Sequence, residues 1–296
     1  MITKTSMIAL LGRPNVGKST LLNRLVGEKV AIVSNKPQTT RGRICAVVKI
    51  DGVQLVLMDT PGFHKAHNKL GEHMQKAVRD SLADVDAAAL VVEPVARIGK
   101  PEALLLERIK AAGTPCVLAV NKIDTVTHTA LLPVLDVYSK AHDFVAIVPL
   151  SAKTGSGVDI LGRELARLMP EGPQLFPDGM VTDQTDQVYA AELVREKLLW
   201  ALEQEIPHGI ACVVERWEQS EELLSIGITV ICERDSHKAI VIGKNGSVLK
   251  KVGEQARAEL EKFFGRKVFL ETWVKVRPNW RNSEQQIRSY GLMTDE

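Results

Sequence analysis

Ile8-Ala-Leu-Leu-Gly12-Arg-Pro-Asn15-Val16-Gly17-Lys18-Ser19-Thr20 decides the fold. An apolar run ends in Gly12, four residues follow, and Gly17 opens Gly-Lys-Ser-Thr. This is the spacing of a phosphate-binding loop between a strand and a helix. The glycines let the backbone curl so that several N–H groups converge on phosphate oxygens. Lys18 reaches the outer phosphates, and the Ser19 hydroxyl is offered to Mg²⁺. A helix starting near Lys18 adds the positive end of its dipole. A chance glycine turn would explain the loop alone, but not strand, loop and helix in this order.

Outward from this loop, residues 5–170 alternate apolar strand-like runs with helical patterns, which predicts an α/β domain with a mainly parallel sheet. Strands are expected over Met7–Leu11, Arg43–Ile50, Gln54–Met58, Ala87–Val92, Pro115–Val120 and Val145–Leu150. Asp51-Gly52 is a two-residue hairpin signal, so the second and third strands should be an antiparallel edge pair. Helices are expected over Lys18–Val26, Leu70–Leu82, Pro101–Ala112, Ala130–Lys140 and Val158–Leu168.

In open α/β sheets ligands bind beyond the carboxyl ends of strands. Asp59-Thr-Pro-Gly62 follows the third strand, where an aspartate holds Mg²⁺ through water and a glycine N–H senses a γ-phosphate. Asn121-Lys122-Ile-Asp124 follows the fifth. The Asp124 carboxylate can accept both donors of the guanine edge, and adenine would leave it badly paired. Lys122 can lie along the base, and Asn121 can bridge loops. After the sixth strand, Ser151-Ala152-Lys153 can offer a backbone N–H to the guanine carbonyl. Each motif is weak alone. The set, in this order, resembles the GTP-binding domain of the translation-factor-like GTPases and implies GTP and GDP as substrate and product, with Mg²⁺.

That resemblance carries further expectations. A threonine in the loop 34–41 should close over Mg²⁺ and the γ-phosphate. Thr39 and Thr40 compete for the role, and similarity to relatives with Thr-Thr-Arg favours Thr40. The segment after Gly62 becomes the second switch. Ras-like GTPases orient the attacking water with a glutamine directly after Asp-x-x-Gly. Phe63 stands there, so intrinsic hydrolysis should be slow. Asn15 matches relatives that bind K⁺ beside the phosphates; a loop residue stabilising its own turn is the plain alternative. The catalytic set is therefore Asn15, Lys18, Thr40 and Gly62, with Ser19, Thr40 and Asp59 on the metal. His64, His67 and His73 lack metal-site spacing and read as switch polarity.

Gly172-Pro173 to Gly179 is rich in turn formers and reads as a boundary. The expected division is a GTP-binding domain over 1–170, a linker over 171–185 and a second domain over 186–296. The second half predicts a helix over Asp186–Glu205 and strands over Ile210–Glu218 and Leu223–Cys232. Then come helical segments on either side of Gly243-Lys244-Asn245-Gly246, and a last strand over Lys267–Val276. Gly-x-x-Gly between two helices is how KH domains clamp single-stranded nucleic acid. The element order is that of an α+β type II KH domain. Ile242, Gly243, Lys244, Asn245, Gly246, Lys250 and Lys251 are the expected RNA contacts, with Ile240 and Ile242 lining the base groove. Charge agrees. Residues 178–236 hold 4 Lys/Arg against 13 Asp/Glu, and residues 237–288 hold 12 against 5. Such a reversal is the pattern of a nucleic-acid or membrane-surface footprint, with a solvated helix face as the plain alternative, where the +2 net charge of the whole chain would say nothing. Trp200 and Trp273 read as core, and Trp280 as a surface or RNA contact.

The two halves together resemble the bacterial Era family of GTPases, carried by Gly12–Ser19, Gln38-Thr-Thr-Arg41, Asp59–Gly62, Ala239–Lys251 and Phe263–Trp280. The resemblance implies action in 30S ribosomal subunit assembly, binding of the 3′ end of 16S rRNA, and some peripheral membrane association. Neither DNA nor a second copy of the chain is an expected partner. Glu93-Pro94 departs from the family, which commonly has aspartate there. Hydrophobic content of 45% and charged content of 25% suit a soluble globular chain. The start Met1–Lys4 runs directly into a strand and leaves no room for a signal peptide. Cys45, Cys116, Cys212 and Cys232 lack Cys-x-x-Cys spacing and read as buried free thiols in the cytoplasm.

Overall fold

The computed structural model describes residues 3–63, 66–83, 85–168 and 171–293. Packing divides the chain into two compact units. The first holds Met1–Ala31, Thr40–Lys65 and Met74–Asp183; the second holds Ile32–Thr39, Ala66–His73 and Gln184–Glu296.

In the first unit the strands are β1 (Thr3–Leu11), β2 (Ile44–Ile50), β3 (Val53–Asp59), β4 (Ala87–Val92), β5 (Cys116–Val120), β6 (Ala146–Pro149) and β7 (Glu171–Gly172). The sheet order is β2-β3-β1-β4-β5-β6, with β7 beside β1. All pairs among β1, β3, β4, β5 and β6 are parallel. β2 and β3 form the expected antiparallel hairpin. Asp51 and Gly52 take φ of 50° and 78° at its turn, the left-handed pair that matches strand twist.

The strands are apolar on both faces because both faces are covered. Ile8 and Leu10 pack with Leu21 and Leu22 of α1 (Lys18–Val26) and Leu161 and Leu165 of α5 (Val158–Arg167). Ala9 and Leu11 face the other way, toward Val78, Leu105 and Ile109 of α2 (Lys69–Asp80) and α3 (Lys100–Ala112) and Val134 of α4 (His128–Ser139). Gly27 and Gly113 close α1 and α3 in the left-handed conformation. The Gly/Pro-rich stretch expected to form the linker lies along this sheet. β7 pairs antiparallel with β1. The buried Gln54 amide donates to the Phe176 carbonyl at 2.8 Å and accepts from the N–H groups of Leu175 and Phe176, each at 3.0 Å.

The second unit runs α6 (Asp186–Ala201), β8 (Ala211–Gln219), β9 (Leu223–Cys232), α7 (Asp235–Ile242), α8 (Ser247–Phe264), β10 (Lys267–Val276) and α9 (Glu284–Ser289). Its sheet has the order β10-β9-β8, parallel between β10 and β9 and antiparallel between β9 and β8. Leu193, Val194 and Leu198 of α6 and Val252, Ala256 and Leu260 of α8 cover one face over Ile226, Ile228 and Val230. The Thr185 hydroxyl caps α6 by accepting from the Val188 N–H at 3.3 Å. α6 stops at Ala201, short of the expected Glu205. Leu202 is extended, Gln204 takes a positive φ, and a 3₁₀ turn with Pro207 follows, which breaks the helical path before Glu205.

The tryptophans depart from expectation. Trp280 is fully buried and donates its indole N–H to the Gly209 carbonyl at 2.9 Å, so it cannot be a surface or RNA contact. Trp200 is 65% exposed. It donates to the Val33 carbonyl at 3.0 Å. Trp273 is 42% exposed and stands over Gly227, where a Cβ would come within 2.8 Å of its ring. Helical or strand periodicity gives the side of an element, but not whether anything covers it. All four cysteines are buried and free, as expected.

Candidate nucleotide site and RNA-binding loop

The loops after β1, β3, β5 and β6 meet at one end of the first unit's sheet. Asn121 joins three of them. Its side-chain N–H donates to the Val16 carbonyl at 2.8 Å, and its oxygen accepts from the Ala152 N–H at 2.9 Å. This explains Gly17, which has a φ of 100°. A Cβ there would meet the Asn121 amide nitrogen at 2.3 Å. A Cβ on Gly12 would meet the Val91 carbonyl oxygen at 2.4 Å. One on Gly62 would meet the backbone of Pro14 at 2.6 Å. The Phe63 N–H donates to the Gly12 carbonyl at 3.1 Å, so the segment after β3 is laid against the phosphate loop.

Lys18 is buried at the start of α1. Its ammonium donates to the carbonyls of Gly12 at 3.2 Å and Arg13 at 3.1 Å. Burial pushes its pKa down to about 8 despite the attraction of Asp59. Burial likewise raises the Asp59 carboxyl above its usual range, against the opposing pull of Lys18 and the hydroxyls of Ser19 and Thr40. Asp59 Oδ2 accepts from Ser19 Oγ at 2.5 Å and Thr40 Oγ1 at 3.1 Å, and the two hydroxyls are 2.9 Å apart. Asp59 Oδ1 is buried with no hydrogen-bond partner. Three hard oxygen donors and an unsatisfied carboxylate oxygen fit the preferences of Mg²⁺. Thr39 turns elsewhere, its hydroxyl donating to the Lys36 carbonyl at 2.7 Å. Val16 is buried, and Thr20 is half-buried in the first turn of α1.

At the other end of the site, the exposed Asp124 accepts from Ser151 Oγ at 2.7 Å, which orients its carboxylate. The Lys122 ammonium donates to the Asn15 carbonyl at 2.7 Å. Asn15 is exposed on the rim, with a φ of 64°. The N–H of Ala152 is committed to Asn121. Arg24 supports the Ser151–Lys153 turn by donating to the carbonyls of Ala152 at 3.3 Å and Lys153 at 2.6 Å. Phe63 is buried in the core beneath the site, its ring 4.8 Å from the Arg108 guanidinium. His64 lies outside the described residues. Among the described residues, no group of histidine, cysteine or acidic side chains could hold a metal ion as a cluster.

Sequence reasoning missed a bridge. Glu93 pairs with Arg13 at 3.0 Å and with Lys122 at 2.5 Å, tying the phosphate loop to the base loop. Arg13 also pairs with the buried Glu102. The available signal was position, since Glu93 directly follows a strand whose neighbours all end in site residues.

The second unit carries a second site. Gly243–Gly246 connects α7 to α8 through φ values of 75° at Gly243, 52° at Asn245 and 76° at Gly246. A Cβ on Gly243 would lie 2.5 Å from Val248 Cγ2. Lys244, Asn245, Lys250 and Lys251 are exposed around the loop, with Ile242 half-buried beside it and Ile240 50% exposed. The result is a protruding backbone with cationic side chains next to an apolar edge, the geometry that suits a single-stranded nucleic-acid backbone.

Comparison with known proteins finds a family model in each unit. A family model described as a 50S ribosome-binding GTPase matches residues 7–122, and one described as a KH domain matches residues 205–281. GTPase Era of Ruminiclostridium cellulolyticum is 44% identical, with all of both chains covered. GTPase Era of Alkaliphilus metalliredigens is 45% identical over 98% of this chain and 99% of that one. The crystal structure of Era in complex with MgGDPNP and nucleotides 1506–1542 of 16S ribosomal RNA superposes with a TM-score of 0.95, at 36% identity over 99% of this chain and all of that one. A variant of Aquifex aeolicus Era bound to GDP·AlF4⁻ also gives 0.95, at 37% identity over 98% of this chain and all of that one. Phosphate loop, guanine-reading loops and KH unit thus occur in one chain with full-length relatives, and the chain belongs to the Era family of GTPases.

Proposed function

We propose that GTP binding and hydrolysis at the first unit switch the second unit between states of different affinity for the 3′ region of 16S rRNA, and that this serves 30S subunit assembly. The convergence of Ser19, Thr40 and Asp59 beside Lys18 carries the reading. It sets one residue of the loop 34–41 where a γ-phosphate and its metal would be sensed.

GTP would lie with its β- and γ-phosphates against Lys18 and the N–H groups of Asn15 to Thr20. The guanine would lie between Asn121, Lys122 and the Ser151–Lys153 turn, its N1–H and amino group donating to Asp124. When bound, Mg²⁺ supplies charge for the β- and γ-oxygens, and Ser19, Thr40 and Asp59 would hold it. In the reaction, water attacks the γ-phosphorus, the bond to the β–γ bridging oxygen breaks, and GDP and phosphate leave. Gly62 offers its N–H toward the γ-phosphate. Phe63, buried beneath the site, has no group to orient the water, so intrinsic turnover is slow. Asn15 on the rim is where K⁺ would add positive charge. Replacing K⁺ by Na⁺ then lowers turnover; equal rates would remove K⁺ from the account.

RNA would be clamped at Gly243–Gly246, with Lys244, Asn245, Lys250 and Lys251 on phosphates and bases along Ile240 and Ile242. The Era structure solved with MgGDPNP and 16S rRNA supports this partner. The burial of Phe63 favours a second reading, in which nucleotide gates an RNA adaptor and hydrolysis matters little. GTP turnover with and without an RNA ending in the small-subunit 3′ sequence separates the two. Stimulation by that RNA supports the switch, and unchanged turnover with intact binding supports the adaptor. Among the described residues no helix is long and apolar enough to cross a membrane. Peripheral association with the inner face of the cell membrane completes the proposal. Co-flotation with anionic vesicles supports it, and a chain that stays with the soluble fraction removes it.

A further inference from the structure

Thr39 and Thr40 are neighbours in the chain but belong to different compact units. Thr40 points its hydroxyl at Ser19 and Asp59. Thr39 is packed with the second unit, where its carbonyl accepts a hydrogen bond from Nη2 of Arg195 on α6. The grip is a built one. Arg195 is 1% exposed, and its Nε donates to Glu192 at 2.7 Å. One turn on, Glu196 accepts the Val33 N–H at 2.8 Å, and Trp200 donates to the Val33 carbonyl at 3.0 Å. Positions 192, 196 and 200 recur every four residues, so one face of α6 presents this row. The held segment is closed on itself, since the Ser34 and Thr39 hydroxyls bond at 2.7 Å.

We propose that Arg195 is a positioning residue that transmits the nucleotide state from Thr40 to α6 of the RNA-binding unit. The carbonyl of Thr39 and the N–H of Thr40 lie in one rigid peptide plane. A turn of that plane when Thr40 engages or leaves the γ-phosphate therefore moves the oxygen that Arg195 holds. The guanidinium cannot let go cheaply. It is buried, and losing an acceptor leaves its charge short of partners. Displacement of the carbonyl is passed to the helix instead of being absorbed at the contact.

This rests on Thr40 as the γ-phosphate sensor, and the test separates the two claims. Hydrogen exchange is measured on the full chain loaded with GDP or with a non-hydrolysable GTP analogue and Mg²⁺. Between the two states, peptides over 32–39 and over 190–200 should change protection together, by about fivefold or more. Arg195→Met should keep the change at 32–39 and reduce that at 190–200 to within about twofold. Arg195→Lys, which can still donate to the Thr39 carbonyl, should restore it. A folded Arg195→Met that keeps the full response at 190–200 overturns the proposal. Should that variant not fold, the unmodified chain decides, because identical protection of 190–200 in both states also overturns it. Thr40→Ala tests the sensor. An unchanged response at 32–39 in that variant removes Thr40 from the role, while the Arg195 comparison still decides the grip.

Discussion

In the proposed function the choice of base is made by the carboxylate of Asp124. Asp124 is exposed and accepts from the Ser151 hydroxyl at 2.7 Å. Asp124→Asn exchanges an acceptor for a donor opposite two guanine donors, so GTP affinity should fall by about 100-fold or more. Xanthosine nucleotides, with an acceptor where guanine has its amino group, should bind the variant better than GTP; competition titrations read both. The thiols give a second test at this scale. Burial raises the Cys45 and Cys116 pKa values to about 12 and also raises that of Cys232. Thiolate is the reactive form, so the native chain at pH 8 should show almost no reaction with a thiol reagent, and the denatured chain should release all four. Residues whose chemistry demands a fixed spacing, such as Gly17, Lys18, Asp59 and Asp124, were legible in the sequence. Glu93 and Arg195 were not, because their partners are 80 and 156 residues distant and no local pattern encodes such pairings. Trp280 was no more legible, since its indole N–H meets a carbonyl 71 residues away, that of Gly209.

At the scale of the element, the Gly243–Gly246 turn and the caps carry the predictions. Gly243→Ala forces a Cβ into Val248 at a positive φ, which costs about 1–3 kcal/mol in backbone strain alone. Loss of RNA affinity by about tenfold with GTP affinity unchanged is the expected outcome, and replacing Lys244 and Asn245 together with Asp should abolish RNA binding. Thr185→Ala removes the cap of α6 and should destabilise the second unit by about 1 kcal/mol. All four tryptophans lie in residues 200–280, so urea unfolding followed by their fluorescence reports that unit. Element type was readable for the main strands and helices, because the first unit's strands are buried on both faces and α8 keeps Val252, Ala256 and Leu260 on one face; the short β7 and α9 carry no such pattern. Ends were less so. α6 stops where Gln204 and Pro207 impose their own geometry, and the stretch 171–183 lies on the sheet because Gln54 gives its backbone partners.

At the scale of the whole molecule, the segment from Ile32 to Thr40 matters most. In the sequence it is a polar loop with two competing threonines; in the structure each threonine has its own partners in a separate unit. In the proposed coupling, the Thr39–Thr40 peptide is where a change at Thr40 reaches the second unit. In the proposed switch the second unit's affinity for RNA depends on the bound nucleotide. The direct measurement is the affinity of the full chain for an RNA ending in the small-subunit 3′ sequence, by fluorescence anisotropy, with a GTP analogue or GDP bound. The account predicts tighter binding with the analogue, by about fivefold or more; equal affinity in the two states, or no binding with the analogue, would contradict it.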